Sequence, residues 1–469
     1  MESARNRLVI NLLLVATFVV ILNETLMAVA IPRLMHDLNV TADAVQWLTT
    51  AFLLTMSVVI PVTGFLLQRM NTRPIFILAM SLFSLGTLIA TLAPDLQALV
   101  VARIIQASGT AIMMPLLMTT AMTLAPAETR GKTMGFITTV ISVAPAIGPT
   151  LSGIILNYLS WRWMFALVLP ISIGALLLGM RRMQNVTTPH SAALDGLSVF
   201  LSAFAFGGIV YGFSSIGAPA APGTLPAGLW SGIGVVFLAL FVLRQLALQK
   251  SGYPLLDLRT FGSRNFTVSV LLMASMMMAL FGTIILLPIY LQNVLGLNSL
   301  QTGLLLLPGG LLMGLLGPHV GRLYDKVGPI RLLVPGVIIV SMVLWAMTLL
   351  GPRTRVPYIL AGHVVMSIGF ALLFTPLFTV SLSSVKASLY AHGSAVIGTI
   401  QQAAGAAGVA LFVALMSARA ARLAASGLAP VEALAGGVRA GFVCGASISI
   451  FAVACVVFMR RPKAVQSGA

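Results

Sequence analysis

Glu24 is the residue best placed to do chemistry. It lies in an apolar run, 8–31, that holds no other ionisable group. A charge in bilayer hydrocarbon costs roughly 2.5–3.5 kcal/mol on insertion scales. Desolvation raises the proton affinity of such a carboxyl, so it can take up and release a proton. The plainer reading is a carboxyl near the membrane rim that reaches water along its helix. Arg103 and Gln106 sit in a second apolar run. A buried guanidinium there needs a partner or water. Alternatively, Arg103 snorkels to a membrane face, inner or outer, because it stands near the start of its run. Other chemistries find no residues. There is no H-E-x-x-H, paired-cysteine set, Ser/His set or acid pair. The five histidines are scattered and read as packing residues. Gly131-Lys132-Thr133 lacks the leading glycine and preceding strand of a phosphate loop.

The elements that carry these groups are membrane spans. The chain has 469 residues, 59% hydrophobic and 8% charged, with mean hydropathy +1.04. Globular domains carry about 25% charged residues. Fourteen apolar segments have helix-spanning length: 8–32, 45–68, 74–93, 97–125, 132–157, 163–180, 194–216, 225–247, 266–294, 300–323, 330–350, 357–385, 392–417 and 438–459. Period-2 alternation is absent, which excludes a β-barrel. The fold class is an all-α polytopic membrane protein. Arg5 and Arg7 ahead of the first run suit a signal peptide, but the run is too long and Asn23-Glu24 interrupts it, so a retained span is expected.

The net charge of +17 reflects topology. With the N-terminus inside, inner loops and tails hold 19 Lys and Arg residues against 7 outside. That bias predicts cytoplasmic N- and C-termini. No basic stripe with interleaved aromatics exists, so nucleic acid is not a partner. The connection at 214–228, rich in Gly, Ala and Pro, suits a short outer turn. The inner connection at 249–264 carries Asp257, Arg259 and Arg264 and suits a short interfacial helix.

Four motifs carry a resemblance. Gly321-Arg322-Leu323-Tyr324-Asp325-Lys326-Val327-Gly328-Pro329-Ile330-Arg331 follows span ten. Its glycines allow a tight turn, and Asp325 can pair with Arg or Lys near the helix ends. It is similar to the loop motif of major facilitators. The matching stretch after span two, Gly64 to Arg73, has Gln68 in place of the acid and Asn71 in place of the second glycine. Arg103-Ile104-Ile105-Gln106-Ala107-Ser108-Gly109 resembles the pattern whose arginine is tied to proton coupling in that family. Ala144-Pro145-Ala146-Ile147-Gly148-Pro149-Thr150-Leu151-Ser152-Gly153 resembles the antiporter motif, retaining Gly148, Pro149 and Gly153, and argues for export. Small residues there allow close helix approach, and proline removes a backbone donor. Leu22-Asn23-Glu24-Thr25-Leu26 resembles the first span of fourteen-span drug exporters, with Asn23 at the usual aspartate position and the acid one place later.

The chain therefore resembles the drug:proton antiporter family with fourteen spans, most closely lincomycin-resistance exporters. The resemblance implies a major facilitator fold: an N-terminal six-helix half at 1–185, two extra helices at 186–250 and a C-terminal half at 251–469. It implies an exporter of amphipathic small molecules, driven by the proton gradient and needing no cofactor or metal. Protons and the lipid bilayer are the other partners; the sequence does not indicate a periplasmic adaptor. The inner cell membrane is the expected location. Glu24 and Arg103 are the proton-coupling candidates. Asn23, Trp47, Gln106, Met113, Tyr290, Gln292, Gln401 and Gln402 are candidate lining residues of a midplane cavity. Gly148, Pro149, Gly153, Gly321, Asp325, Lys326, Gly328 and Arg331 carry the conformational motifs. Met273, Met276, Met277 and Met278 read as packing. The alternatives are transport without proton coupling, import, and a non-transporting receptor on the same scaffold.

Overall fold

The structure is a computed structural model describing residues 2–40, 42–186, 195–214, 226–251 and 254–459. Its helices are α1 (Glu2–Leu38), α2 (Ala42–Arg69), α3 (Thr72–Leu92), α4 (Leu96–Leu124), α5 (Arg130–Tyr158), α6 (Arg162–Arg182) and α7 (Gly196–Ser214), followed by α8 (Ala227–Ser251), α9 (Arg264–Asn293), α10 (Ser299–Val327), α11 (Ile330–Met347), α12 (Val356–Ser383), α13 (Tyr390–Ala425) and α14 (Pro430–Val457). Fourteen are long and apolar enough to cross a membrane. In lipid every backbone group must be satisfied within the segment, and helices do this.

Local chemistry sets several boundaries. Asp95 accepts from the Ala98 amide at 2.8 Å and starts α4. Asn298 and Gln301 form a reciprocal capping box at the start of α10. Gly328, with φ of +79°, ends α10 in a conformation that side chains resist. Helices α1 and α13 outrun the apolar segments predicted for them. Hydropathy falls where Arg33, His36 and Asp37 begin, yet the backbone ladder continues through an Arg33–Asp37 pair at 3.1 Å. The connection at 249–264 holds a short 3₁₀ helix, Leu258–Gly262, and the centre of the connection at 214–228, residues 215–225, lies outside the described residues.

Helices α1–α6 pack as one bundle and α9–α14 as another. The bundles repeat one pattern. Leu96 and Val356 open α4 and α12, Ala127 and Ala387 open 3₁₀ turns, and Arg130 and Tyr390 open α5 and α13, each pair at the same spacing. The α7–α8 pair packs together, and α7 lies against both α2 and α13.

The bundles meet along a seam near Arg69, Arg130 and Lys386, here termed the basic end. Helices α5 and α10 touch backbone to backbone. A Cβ on Gly135 would lie 2.3 Å from the Gly317 carbonyl, and one on Gly321 2.1 Å from that of Gly131. Thr139 donates to the Gly314 carbonyl at 2.7 Å, Thr375 to Thr138 at 2.9 Å, and Thr119 and Ser394 share a bond at 2.6 Å. The hydrogen bonds described at the opposite end stay within one bundle, such as Tyr290 to Gly351 and Arg162 to Ala93. The seam is thus closed at the basic end.

Candidate functional site

Helices α1 to α4 converge on Arg103. Gly86 lets α3 press on α4: a Cβ there would sit 2.6 Å from the Gln106 backbone nitrogen. Arg103 is 2% exposed, so it does not snorkel. Its Nη1 donates to Asn23 Oδ1 at 3.3 Å and to Gln106 Oε1 at 3.0 Å. Gln106 passes the chain on, donating to Thr87 at 2.8 Å, and Thr87 donates to the Phe83 carbonyl at 2.7 Å. The Phe52 ring lies 4.0 Å from the guanidinium carbon. Polar acceptors and an aromatic face together offset the cost of burying the charge. Arg103 Nε and Asn23 Nδ2 remain buried donors without a protein acceptor.

Glu24 stands one residue from Asn23, about 100° further around the helix. It is partly exposed and feels the Arg103 charge, but forms no ion pair with it among the described residues. Asn23 thus occupies the position that touches the arginine. Thr25 follows, and a Cβ on Gly148 would lie 2.2 Å from its Oγ1. Gly148 therefore brings α5 against α1 beside Glu24. Gly153 has nothing within 4 Å of its would-be Cβ, so close packing does not require it. Pro149 is helical, and its side chain is not among those described.

At the basic end Asp325 accepts from the Gly131 and Lys132 amides at 2.8 and 3.0 Å. The expected Arg or Lys side-chain partner is replaced by the N-terminus of α5. Free amides and the helix dipole favour an anion there. Lys326 and Arg331 are exposed. Gln68, at the matching position of the first half, touches His392 of α13.

The pattern of the Major Facilitator Superfamily matches residues 13–409. The chain belongs to this superfamily. Among relatives, the uncharacterized MFS-type transporter YcnB of Bacillus subtilis is 39% identical over 97% of this chain and 95% of its own. Lincomycin resistance protein LmrB of Listeria monocytogenes is 39% identical over 96% of each chain. LmrB of Bacillus subtilis is also 39% identical, over 96% of this chain and 95% of its own. Solved structures agree in fold. The human organic anion transporter MFSD10 has a TM-score of 0.68 at 14% identity, covering 96% of this chain and 99% of its own. The proton:xylose symporter XylE has 0.66 at 14%, covering 99% and 98%.

This facilitator brings only part of the candidate set together. Asn23, Gln106 and Arg103 form one cluster with Glu24 beside it. Gln402 reaches across the seam, its Nε2 3.3 Å from Met56 Sδ, and Gln401 is partly buried beside it in sequence. Met113 is fully buried in the core. Tyr290 is fully buried too and donates to the Gly351 carbonyl at 2.8 Å, pinning α9 to the α11–α12 connection. Gln292 is partly buried near the end of α9. Trp47 stacks on Tyr211 of α7 with centroids 6.1 Å apart, and Tyr211 meets Trp230 of α8 edge-on at 5.5 Å. In this conformation, then, Met113 and Tyr290 face packed protein, and Trp47 faces the inserted pair. Met273, Met276 and Met277 are buried packing residues. Phe52 and Thr87 complete the Arg103 site without any sequence signal, since a Phe or Thr in an apolar span is unremarkable.

Proposed function

We propose that this transporter exports amphipathic drugs or toxic compounds in exchange for protons, with Glu24 as the proton carrier and Arg103 as its electrostatic partner. In this reading it lies in the inner cell membrane with both termini and the basic end cytoplasmic, and the helices group as 1–185, 186–250 and 251–469. The arrangement around Arg103 carries the reading. Because Asn23 and Gln106 already hold the guanidinium, Glu24 is not locked in a permanent ion pair. It is partly exposed on a membrane helix, where it can change protonation as the bundles rock. Substrate that favours the deprotonated form would couple the two fluxes by reciprocal linkage. The relatives named for lincomycin resistance support drug export as the direction. One membrane carboxylate suits neutral or monocationic substrates better than dications.

The same geometry favours one competitor. A neutral residue, Asn23, holds the arginine where related exporters place an aspartate, which would suit transport without proton coupling. Proteoliposome efflux of a lincosamide and a lipophilic monocation under an imposed pH gradient separates the two. Gradient-driven efflux that is lost in Glu24→Gln supports the antiporter. Efflux indifferent to both gradient and substitution makes Glu24 a structural carboxyl in a passive facilitator.

A further inference from the structure

The α7–α8 pair is joined to the seam by a chain of polar side chains. Asp195 caps α7, accepting from the Ser198 amide at 3.0 Å, and takes both arms of Arg244 from α8 at 3.1 and 3.0 Å. One turn of α8 carries Gln245, which is fully buried. Its Nε2 donates to the Ser198 hydroxyl at 2.8 Å. Its Oε1 accepts from the Leu255 and Leu256 amides at 2.8 and 3.2 Å. A single side chain thus ties α7, α8 and the connection to α9 together.

That connection then enters the seam. Leu256 is 3% exposed, and its Cδ2 lies 3.6 Å from where a Gly64 Cβ would be, beside Ala395 of α13. The next residue, Asp257, is 1% exposed and held by Arg259. His392 of α13, three residues before Ala395, touches Gln68 of α2. Helix α7 itself lies against both α2 and α13. One bundle supplies α2 and the other supplies α13, so opening the basic end must pull this assembly apart.

We infer that the inserted helix pair is a brace on the closed basic end, with Gln245 positioning the 254–262 connection and Leu256 as the wedge it sets into the α2–α13 seam. A lipid-facing spacer would need neither the buried glutamine nor a connection packed between the bundles. The inference rests on rocking of the bundles and not on proton coupling.

The test reads conformation and not transport, so it stands apart from the antiporter experiment. Glu128 and Ser388 are exposed in the equivalent 3₁₀ turns of the two bundles. Spin labels at E128C and S388C, with Cys444 and Cys455 replaced by serine, report the width of the basic end in lipid nanodiscs. Gln245→Leu releases the connection, and Leu256→Ala leaves it attached but removes the wedge. Each should raise the wide-distance population about fivefold, as expected when one well-made buried contact is lost from one state only. A wild-type distance distribution in Leu256→Ala overturns the inference, whether or not Gln245→Leu accumulates in the membrane.

Discussion

Arg103 stands in α4 at the same distance from the helix start as His363 does in α12. Arg103 gathers α1, α2 and α3 around a buried charge. His363 does something simpler: its Nε2 lies 3.1 Å from the Leu306 carbonyl, and it packs so closely on α10 that a Gly309 Cβ would meet its ring at 2.5 Å. At the basic end the contrast reverses. The C-terminal bundle supplies the anion Asp325, which receives two amides of α5. The N-terminal bundle supplies neutral Gln68 to His392, the counterpart of Lys132. One scaffold repeated twice therefore carries its membrane charge in one bundle and its seam charge in the other. Ionisable groups in the membrane are costly and mark function, whereas an anion at a helix N-terminus needs only free amides.

The comparison breaks first at Arg103. Arg103→Ala strands Asn23 and Gln106 and should lower efflux by roughly 100-fold at equal expression, about 3 kcal/mol. His363→Ala should leave efflux within about threefold, because it removes packing and one hydrogen bond. Equal losses in a side-by-side liposome assay would mean that both bundles carry the transport chemistry.

The two seam contacts offer a second contrast. Asp325→Asn removes the charge that receives two amides and should raise the open basic-end population about tenfold, since charge-assisted bonds are roughly twice as strong as neutral ones. Gln68→Leu should raise it only about fivefold. The E128C/S388C label distance checks the ranking, and a larger effect at Gln68 would reverse the assignment of the stronger latch.

Within α5 the two motif glycines should separate. Gly148→Ala drives a methyl into Thr25 and should cost about 1–3 kcal/mol. Gly153→Ala meets open space and should be neutral or slightly stabilising. Melting of the purified protein in detergent, followed by tryptophan fluorescence, measures both.

The smallest effect concerns the cap of α7. The Arg244 hydrogen bonds hold the Asp195 carboxyl below its ordinary range. Its contribution to stability is therefore full above the unfolded carboxylate value, about 4. It is lost as pH falls through the lower folded value. Asp195→Asn should flatten that acid limb of a melting-temperature profile and leave the profile at neutral pH nearly parallel to wild type.

Much of the fold was legible because hydropathy and segment length are local properties. Each apolar run must close its own backbone hydrogen bonds in lipid, so the number of helices follows from composition along the chain. The isolation of Glu24 and the turn at Gly328 were legible for the same reason: each depends on a few adjacent residues. What the tertiary structure alone decided is which faces meet. Asn23 and Glu24 are neighbours in sequence, but a 100° turn sends one to Arg103 and leaves the other beside it. Asp325 found the backbone of α5 instead of a basic side chain, and Trp47 found α7 instead of a cavity. Helix rotation and partner choice are set by packing between segments distant in the chain, which no local pattern of residues records.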